Sequence, residues 1–397
     1  MAGRLSRAEI EELKAIVVSG NLTAAAAKLQ EKLESLENTP LDIAITGESG
    51  AGKSSLVNAI RGLHDDDEGA AKTGVKQTTM KRKAYPHPRF PNVTIWDLPG
   101  IGTPNFQADN YLNRVQFNNY DFFIIVTATR FTSYHTTLAR AIHRLGKRFY
   151  YVRSKVDIDL KAEQRKRNFN RERTLQEIRE DCVEKLRKAG EASPRVFLLS
   201  NWELDNYDFQ LLKKTLKNEL DDQKRHVFIL AMPNISAKIL ENKKAELQKH
   251  IWEVALLSCA IGVLPVPGLS LICDVAILVF HMKRYCLAFG LDEESLTRLA
   301  EQVDKPVAEL KSAIRNSPLA SAIKKEFVLS LLSRSLCGAL MVVELILDFV
   351  PSLGSLAGGG ISFVTTYYML QRFLNDAAED AQNILTKALE PRAEESI

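Results

Sequence analysis

A glycine-rich segment follows a short apolar run near residue 45. The segment reads GESGAGKSS (Gly47–Ser55) and the run reads LDIAIT (Leu41–Thr46). Gly47, four further residues, then Gly52, Lys53 and Ser54 complete a Walker A pattern between a predicted strand and a helix-forming stretch. Such a loop binds phosphate through backbone N–H groups and the helix N-terminus. Its lysine reaches the β- and γ-phosphates, and its serine hydroxyl binds Mg²⁺. The predicted phosphate contacts are Gly47, Glu48, Ser49, Gly50, Ala51, Gly52, Lys53, Ser54 and Ser55.

A second polar motif, DLPG (Asp97–Gly100), closes the predicted strand Val93–Trp96. This position places Asp97 near the metal through a water molecule and the Gly100 amide near the γ-phosphate.

The acidic run DDDE (Asp65–Glu68) follows the helix of the phosphate loop. It predicts a solvated loop, with an influence on nucleotide exchange or partner choice as the alternative.

A third motif, SKVD (Ser154–Asp157), closes the predicted strand Phe149–Val152. A carboxylate at Asp157 accepts hydrogen bonds from both N1–H and the exocyclic amino group of guanine, whereas adenine offers neither donor there. Lys155 is expected to lie along the base, and Ser200 and Asn201 to contact its edge. Because each motif ends its own strand, the set predicts a guanine nucleotide, GTP or GDP.

The segment TGVKQTT (Thr73–Thr79) lies between the Walker A loop and the DLPG motif, where a switch loop places a threonine on Mg²⁺. Thr79 is the first choice for this ligand and Thr78 the second, so the predicted metal ligands are Ser54, Thr79 and Asp97. Ile101 follows the DLPG motif and cannot orient a water molecule. The catalytic group must then come from the switch loop, the phosphate loop or a second molecule.

The elements that position these motifs are short apolar runs separated by amphipathic helices. The runs lie at 43–45, 93–96, 122–126, 149–152 and 196–199. This alternation predicts an α/β domain with a mostly parallel sheet covered on both faces. We place an N-terminal helical segment at residues 1–40, this domain at 41–224 and a C-terminal helical domain at 225–397, with helical periods at 235–252 and 296–314.

Two apolar stretches in the C-terminal half raise the question of a membrane. Residues 254–280 contain a PVPG turn (Pro265–Gly268), and residues 336–370 are interrupted by PSLGSLAGGG (Pro351–Gly360). Each half of the first stretch is too short to span a bilayer, so buried helical hairpins are the leading interpretation. Docking into or insertion in a bilayer is the alternative.

The composition excludes several classes of protein. The 397 residues carry a formal charge of +4, which is too small to indicate a nucleic-acid partner. The five cysteines form no C-x-x-C pair and indicate a reducing, cytoplasmic compartment. His64, His87 and His135 have no evident nucleophile beside them and are expected to be surface or structural residues.

These motifs together resemble the immunity-related (interferon-inducible) GTPases. The resemblance rests on GESGAGKS, TGVKQTT, VTIWDLPGIG, YDFF, FYYVRSKVD, KRH and FGLDEESL, which run through nearly the whole chain. It implies a Ras-like G domain joined to a helical domain that both chain ends supply. Lys53 places the chain in the G-K-S subgroup, while LPVPGL, GGGISF, MLQ and AAEDAQ in the C-terminal half look closer to the testis-expressed "cinema" branch.

The resemblance also implies a dynamin-like function. A G-domain dimer and a GTP-dependent oligomer would stimulate hydrolysis, and the protein would act peripherally at intracellular (vacuolar) membranes in cell-autonomous defence. The family carries a glutamate where this chain has Gln77, and an amide can orient water but cannot act as a general base. The catalytic candidates are Gln77, Thr79 and Lys53. The alternative is a GTP-regulated scaffold with little turnover and a non-immune role.

Overall fold

The computed structural model describes residues 39–74, 81–101, 108–188, 190–262, 269–333 and 357–391, together with scattered helical positions between residues 12 and 38. The chain divides into two compact units. One consists of Thr39–Pro233, and the other combines Met1–Asn38 with Asn234–Ile397. The boundary predicted at residue 224 falls inside a helix, Asp222–Ala231. Lys224 of that helix pairs with Asp121 at 2.6 Å, a contact inside the first unit.

The first unit is built on a six-stranded sheet with the strand order β2-β3-β1-β4-β5-β6. Its strands are β1 (Leu41–Gly47), β2 (Lys83–Pro86), β3 (Val93–Asp97), β4 (Phe122–Thr127), β5 (Arg148–Arg153) and β6 (Val196–Leu198). All neighbouring pairs are parallel except the antiparallel pair β2–β3. The predicted Ras-like α/β G domain is therefore confirmed, and β2 is an edge strand that the apolar pattern did not predict.

In the described part of this unit, seven helices connect and cover the strands. They are α1 (Lys53–Arg61), α2 (Ala108–Val115), α3 (Ser133–Arg144), α4 (Val156–Glu163), α5 (Arg171–Lys188), α6 (Phe209–Glu219) and α7 (Asp222–Ala231). All six positions of β4 are buried, as expected for a central parallel strand with both faces covered. Because the parallel strands share one direction, the loops that follow β1, β3, β5 and β6 meet at one edge of the sheet.

The second unit is helical. Its helices are α8 (Ala237–Gly262), α9 (Leu269–Phe289), α10 (Glu293–Gln302), α11 (Val307–Lys311) and α12 (Ala357–Leu389), and residues 325–333 are also helical. The helix expected over 296–314 is interrupted between α10 and α11. Asp304 adopts a positive φ of 53°, and Pro306 disfavours a helical conformation at the residue before it.

The apolar stretch at 254–280 covers the end of α8 and the start of α9, whereas its turn at 263–268 lies outside the described residues. In α9, Asp274 accepts a hydrogen bond from Ser362 of α12 at 2.7 Å and another from Ser258 of α8. Ser258 also bonds to Thr366 at 2.8 Å. These bonds tie three helices together through side chains that would be costly to leave unpaired in an apolar environment.

Across the part of the chain that the structure describes, no helix is both long enough and apolar enough to cross a membrane. Residues 336–356 of the second apolar stretch (336–370) lie outside that part.

Candidate nucleotide-binding site

The phosphate loop joins the end of β1 to the start of α1. Gly47 has a φ of 145°, and a Cβ atom there would collide with the carbonyl oxygen of Val126 in β4. Gly52 has a φ of 81° and immediately precedes α1. Both positions require glycine, one because the neighbouring backbone is too close and the other because the conformation is left-handed. The Walker A glycines thus permit a tight turn directly onto a helix N-terminus.

Lys53 lies at the start of α1, and only 7% of it is exposed. Its ammonium group donates a hydrogen bond to the carbonyl oxygen of Glu48 at 2.9 Å, across the mouth of the loop. Burial lowers the pKa of Lys53, while the carboxylates of Asp97 and Glu48 oppose that shift. Among the residues that the structure describes, no side chain caps the helix N-terminus. Its N–H groups and the lysine therefore suit an anion.

The two described metal candidates lie in direct contact. Ser54 Oγ donates a hydrogen bond to Asp97 Oδ2 at 2.6 Å, and Asp97 is 1% exposed at the end of β3. Because the hydroxyl group donates its hydrogen bond to the carboxylate, the lone pairs of the serine oxygen remain available to a cation. Hydroxyl and carboxylate oxygens are the ligands that Mg²⁺ prefers. This pair fits the ion predicted for the site.

The chain after Asp97 runs beside the phosphate loop. A Cβ atom on Gly100 would lie 3.3 Å from the backbone nitrogen of Ser49, so the two backbones pack closely here. The N–H group of Ile101 donates to the carbonyl oxygen of Gly47 at 3.0 Å. The Ile101 side chain is 5% exposed and belongs to the core. It cannot orient water, as its apolar character already indicated.

The SKVD motif (Ser154–Asp157), predicted to bind the base, forms the turn from β5 into α4. Lys155 has a φ of 59° and occupies the N-cap position of α4. Its Cε atom lies close to the phosphate loop, since a Cβ atom added to Gly52 would be 3.8 Å away from it. Asp157 lies in the first turn of α4 and is 6% exposed. Its Oδ1 atom is buried and accepts no hydrogen bond within the described part of the chain. A buried carboxylate oxygen needs a donor, and the edge of guanine supplies two.

Ser200 and Asn201 follow β6. Ser200 is fully buried, and its hydroxyl oxygen accepts from the N–H groups of Trp202 at 3.3 Å and Glu203 at 3.2 Å. Asn201 Nδ2 donates to the carbonyl oxygen of Gly52 at 2.9 Å. Ser200 therefore orders the loop after β6, and Asn201 holds that loop to the phosphate loop. These contacts add to the contact with the base edge that the sequence predicted.

Two residues that sequence reasoning missed fasten this site. Ser154 Oγ donates to the carbonyl oxygens of Ala51 at 2.7 Å and Thr127 at 3.1 Å. Thr127 Oγ1 donates to Glu48 Oε1 at 2.7 Å. Both residues are polar, lie at or directly after the end of a strand and are fully buried. That combination is the signal that could have identified them.

The three histidines have no role in the described site. His135 is 1% exposed in the first turn of α3, where its Nδ1 accepts from the N–H group of Thr132 at 3.1 Å. It is buried in a helix and hydrogen-bonded, which agrees with the structural role expected for it. Gln77, Thr78 and Thr79 lie outside the described residues, so the switch-loop assignments remain predictions.

Comparison with known proteins gives the family. The model of the family "Interferon-inducible GTPase (IIGP)" matches residues 6–388. "Interferon-inducible GTPase 5" of Rattus norvegicus is 48% identical over 388 residues, which cover 97% of this chain and 84% of that protein. "Interferon-gamma-inducible GTPase 10" of Mus musculus is 37% identical over 385 residues, covering 96% and 90%. "Interferon-inducible GTPase 1" of Mus musculus is 37% identical over 368 residues, covering 92% and 87%. The chain belongs to the interferon-inducible GTPase family.

Proposed function

We propose that the protein is a Mg²⁺-dependent GTPase that acts in cell-autonomous immunity. One observation carries the proposal. The ends of three parallel strands, β1, β3 and β5, and the residues that follow them bring a buried lysine, a serine–aspartate pair and a buried carboxylate acceptor to the same edge of the sheet. These residues are Lys53, Ser54, Asp97 and Asp157. Membership of a family named for its GTPase activity supports the same chemistry.

The residues of this chain divide the work of binding. Lys53 and the N–H groups of the first turn of α1 hold the β- and γ-phosphates, and Asp157 holds the guanine edge. Ser54 and Asp97 would hold Mg²⁺, with Thr79 as the third ligand of the protein. The ion would neutralise the negative charge that develops on the phosphate oxygens. The Ser54 hydroxyl donates its hydrogen bond to Asp97, which leaves the lone pairs of the serine oxygen available to a cation.

Hydrolysis also needs a group that positions the attacking water. Ile101 cannot do this, because its side chain is apolar and packs in the core. We assign the role to the amide of Gln77, which can both donate and accept a hydrogen bond. Positioning without proton abstraction predicts slow turnover in the single molecule. Pairing of two G domains and assembly into a GTP-dependent oligomer would then raise the rate, and the assembled form would act peripherally at an intracellular membrane.

A second function remains open because of the same two residues. With Gln77 and Ile101 in place of stronger catalytic groups, the protein would serve as a scaffold whose state depends on whether GTP or GDP is bound. Such a scaffold binds GTP tightly but shows little turnover at any protein concentration.

The test is GTP turnover per molecule, measured over a hundredfold range of protein concentration with light scattering in the same samples. Turnover that rises with concentration, together with scattering that requires GTP, supports an assembling GTPase. Binding with flat, near-zero turnover supports the scaffold. Failure to bind any guanine nucleotide contradicts both functions.

A further inference from the structure

Hydrogen bonds fasten the chain that follows α1 to that helix. Asn58 is 1% exposed, and its amide exchanges two hydrogen bonds with the backbone of Ala71, at 3.0 Å and 2.6 Å. Arg61 donates to the carbonyl oxygens of Gly69 at 3.0 Å and Pro86 at 3.1 Å. Residues 64–70, which we name the acidic loop, are therefore held against the helix that carries the phosphate-binding residues.

One carboxylate of the acidic loop differs from its neighbours. Asp65 Oδ2 accepts a hydrogen bond from Ser55 Oγ at 3.2 Å, and its Oδ1 accepts from Asn58 Nδ2 at 2.8 Å. Asp67 instead accepts from the backbone N–H group of His64 at 2.8 Å, inside the loop. Asp66 is exposed. The expectation of a simple solvated loop is thus wrong for Asp65, which contacts the phosphate-binding turn.

The contact matters because a serine hydroxyl has only one proton to donate. Ser55 lies in the first turn of α1, within the segment assigned to the phosphates. Phosphate oxygens only accept hydrogen bonds, as does the ionised carboxylate of Asp65. When the Ser55 hydroxyl donates its hydrogen bond to Asp65, it presents only lone pairs to the nucleotide. Asp65 and a bound phosphate therefore compete for the same donor.

We propose that Asp65 is a positioning residue that limits how tightly the protein retains its nucleotide. The residue acts through Ser55 and does not touch the nucleotide itself. The inference rests on the proposed function, since it concerns guanine nucleotides bound at the described loop. A charge-assisted bond to the Ser55 hydroxyl keeps that group from the phosphates. Loss of the carboxylate is expected to slow the release of GDP by about three- to tenfold.

The experiment measures the dissociation rate of fluorescent (mant-labelled) GDP from the full chain and three variants. Asp65→Ala removes the contact, and Asp66→Ala is the matched control that removes the same charge from the same loop without a contact to Ser55. Asp65→Asn keeps the size of the side chain and weakens the acceptor, so it provides a second reading if the alanine variant is poorly folded. The thermal unfolding midpoint reports the folding of each variant.

Ser55→Ala, alone and combined with Asp65→Ala, completes a double-mutant cycle. The expected result is slower release with Asp65→Ala, a smaller slowing with Asp65→Asn, and no change with Asp66→Ala. The slowing should disappear when Ser55 is already alanine. Equal effects of Asp65→Ala and Asp66→Ala, or an effect that persists without the Ser55 hydroxyl, would overturn the inference and leave GTP binding intact. Absence of GDP binding from every variant, including the unmodified chain, would overturn the proposed function as well.

Discussion

Ser154 donates a hydrogen bond to the carbonyl oxygen of Ala51 at 2.7 Å, across 103 residues of sequence. The bond joins the turn that precedes Asp157, the predicted guanine acceptor, to the Walker A loop, the predicted phosphate site. Asn201 makes a second bridge, to the adjacent Gly52 carbonyl, at 2.9 Å. Two side chains therefore fasten the loop after β5 and the loop after β6 to the phosphate loop.

Replacement of Ser154 by alanine should destabilise the Thr39–Pro233 unit by about 1–3 kcal/mol, because the buried Ala51 carbonyl loses its donor. Guanine nucleotide affinity should fall together with stability. Urea unfolding and calorimetric GDP titration measure the two effects. Ser193→Ala is the matched control, since Ser193 is exposed. Equal stability of the two variants would mean that the bridge contributes nothing.

Replacement of Lys53 by alanine should weaken GTP and GDP binding by about 100-fold or more, because a buried charge-assisted contact to the phosphates is lost. The exposed Lys161 offers a control that removes the same charge outside the site. Titration calorimetry of both variants decides the matter. Tight GTP binding by the Lys53 variant would refute the assignment of the phosphate site.

Replacement of Asp157 by asparagine should shift the base preference from guanine to xanthine. The new amide group can donate to the 2-oxo group of xanthine but cannot accept two hydrogen bonds from guanine. We expect GDP affinity to fall by about 100-fold and xanthosine diphosphate affinity to rise. Competition of the two nucleotides against mant-GDP measures the change. Unaltered GDP affinity would show that the base is held elsewhere.

Replacement of Gln77 by glutamate should raise the rate of GTP hydrolysis, because a carboxylate can accept a proton from the attacking water. Binding of GTP should change little. Single-turnover hydrolysis at saturating protein measures this step directly, and the unmodified chain at the same concentration is the reference. A slower variant would indicate that the amide already positions the water in the better way.

The stability of the G domain should depend on pH through His135. Burial lowers the pKa of His135 from 6.5 to about 4, although Glu48 opposes that shift. Between these values the unfolded chain binds a proton that the folded chain does not. The neutral histidine therefore favours folding fully above pH 6.5, and this stability is lost as the pH falls toward 4. At pH 5 the loss amounts to about 2 kcal/mol.

His135→Gln is the variant that tests this dependence. Glutamine also occupies the third helical position of capping boxes, so it can accept from the Thr132 N–H group without titrating. Urea unfolding at pH 7 and pH 5 should show a smaller loss of stability in the variant than in the unmodified chain. The same loss in both proteins would place the titrating group at another residue.

The sequence by itself determined the fold class and predicted the residues of the nucleotide site. Gly52 is required by its left-handed backbone conformation and Lys53 by the chemistry of phosphate binding, and nine residues of sequence encode both. The buried strands are short apolar runs, and β1, β3 and β5 each carry a motif at their carboxyl end. Parallel strands then bring those ends to one edge of the sheet, which is why Asp97 and Asp157 could be assigned without coordinates.

Only the tertiary structure decided how these parts are fastened. The contacts of Ser154 with Ala51 and of Asn201 with Gly52 join residues more than a hundred positions apart, and no local pattern encodes such partners. The four-residue edge strand β2 has a single buried position, so it lacks the apolar alternation that marks a strand. The sequence predicted Asp65 to be part of a solvated acidic run, because a charge pattern does not reveal which carboxylate of the folded loop faces a helix. That direction depends on the buried anchors at Asn58 and Arg61, and a side-chain hydrogen bond forms only where the folded backbone brings donor and acceptor within reach.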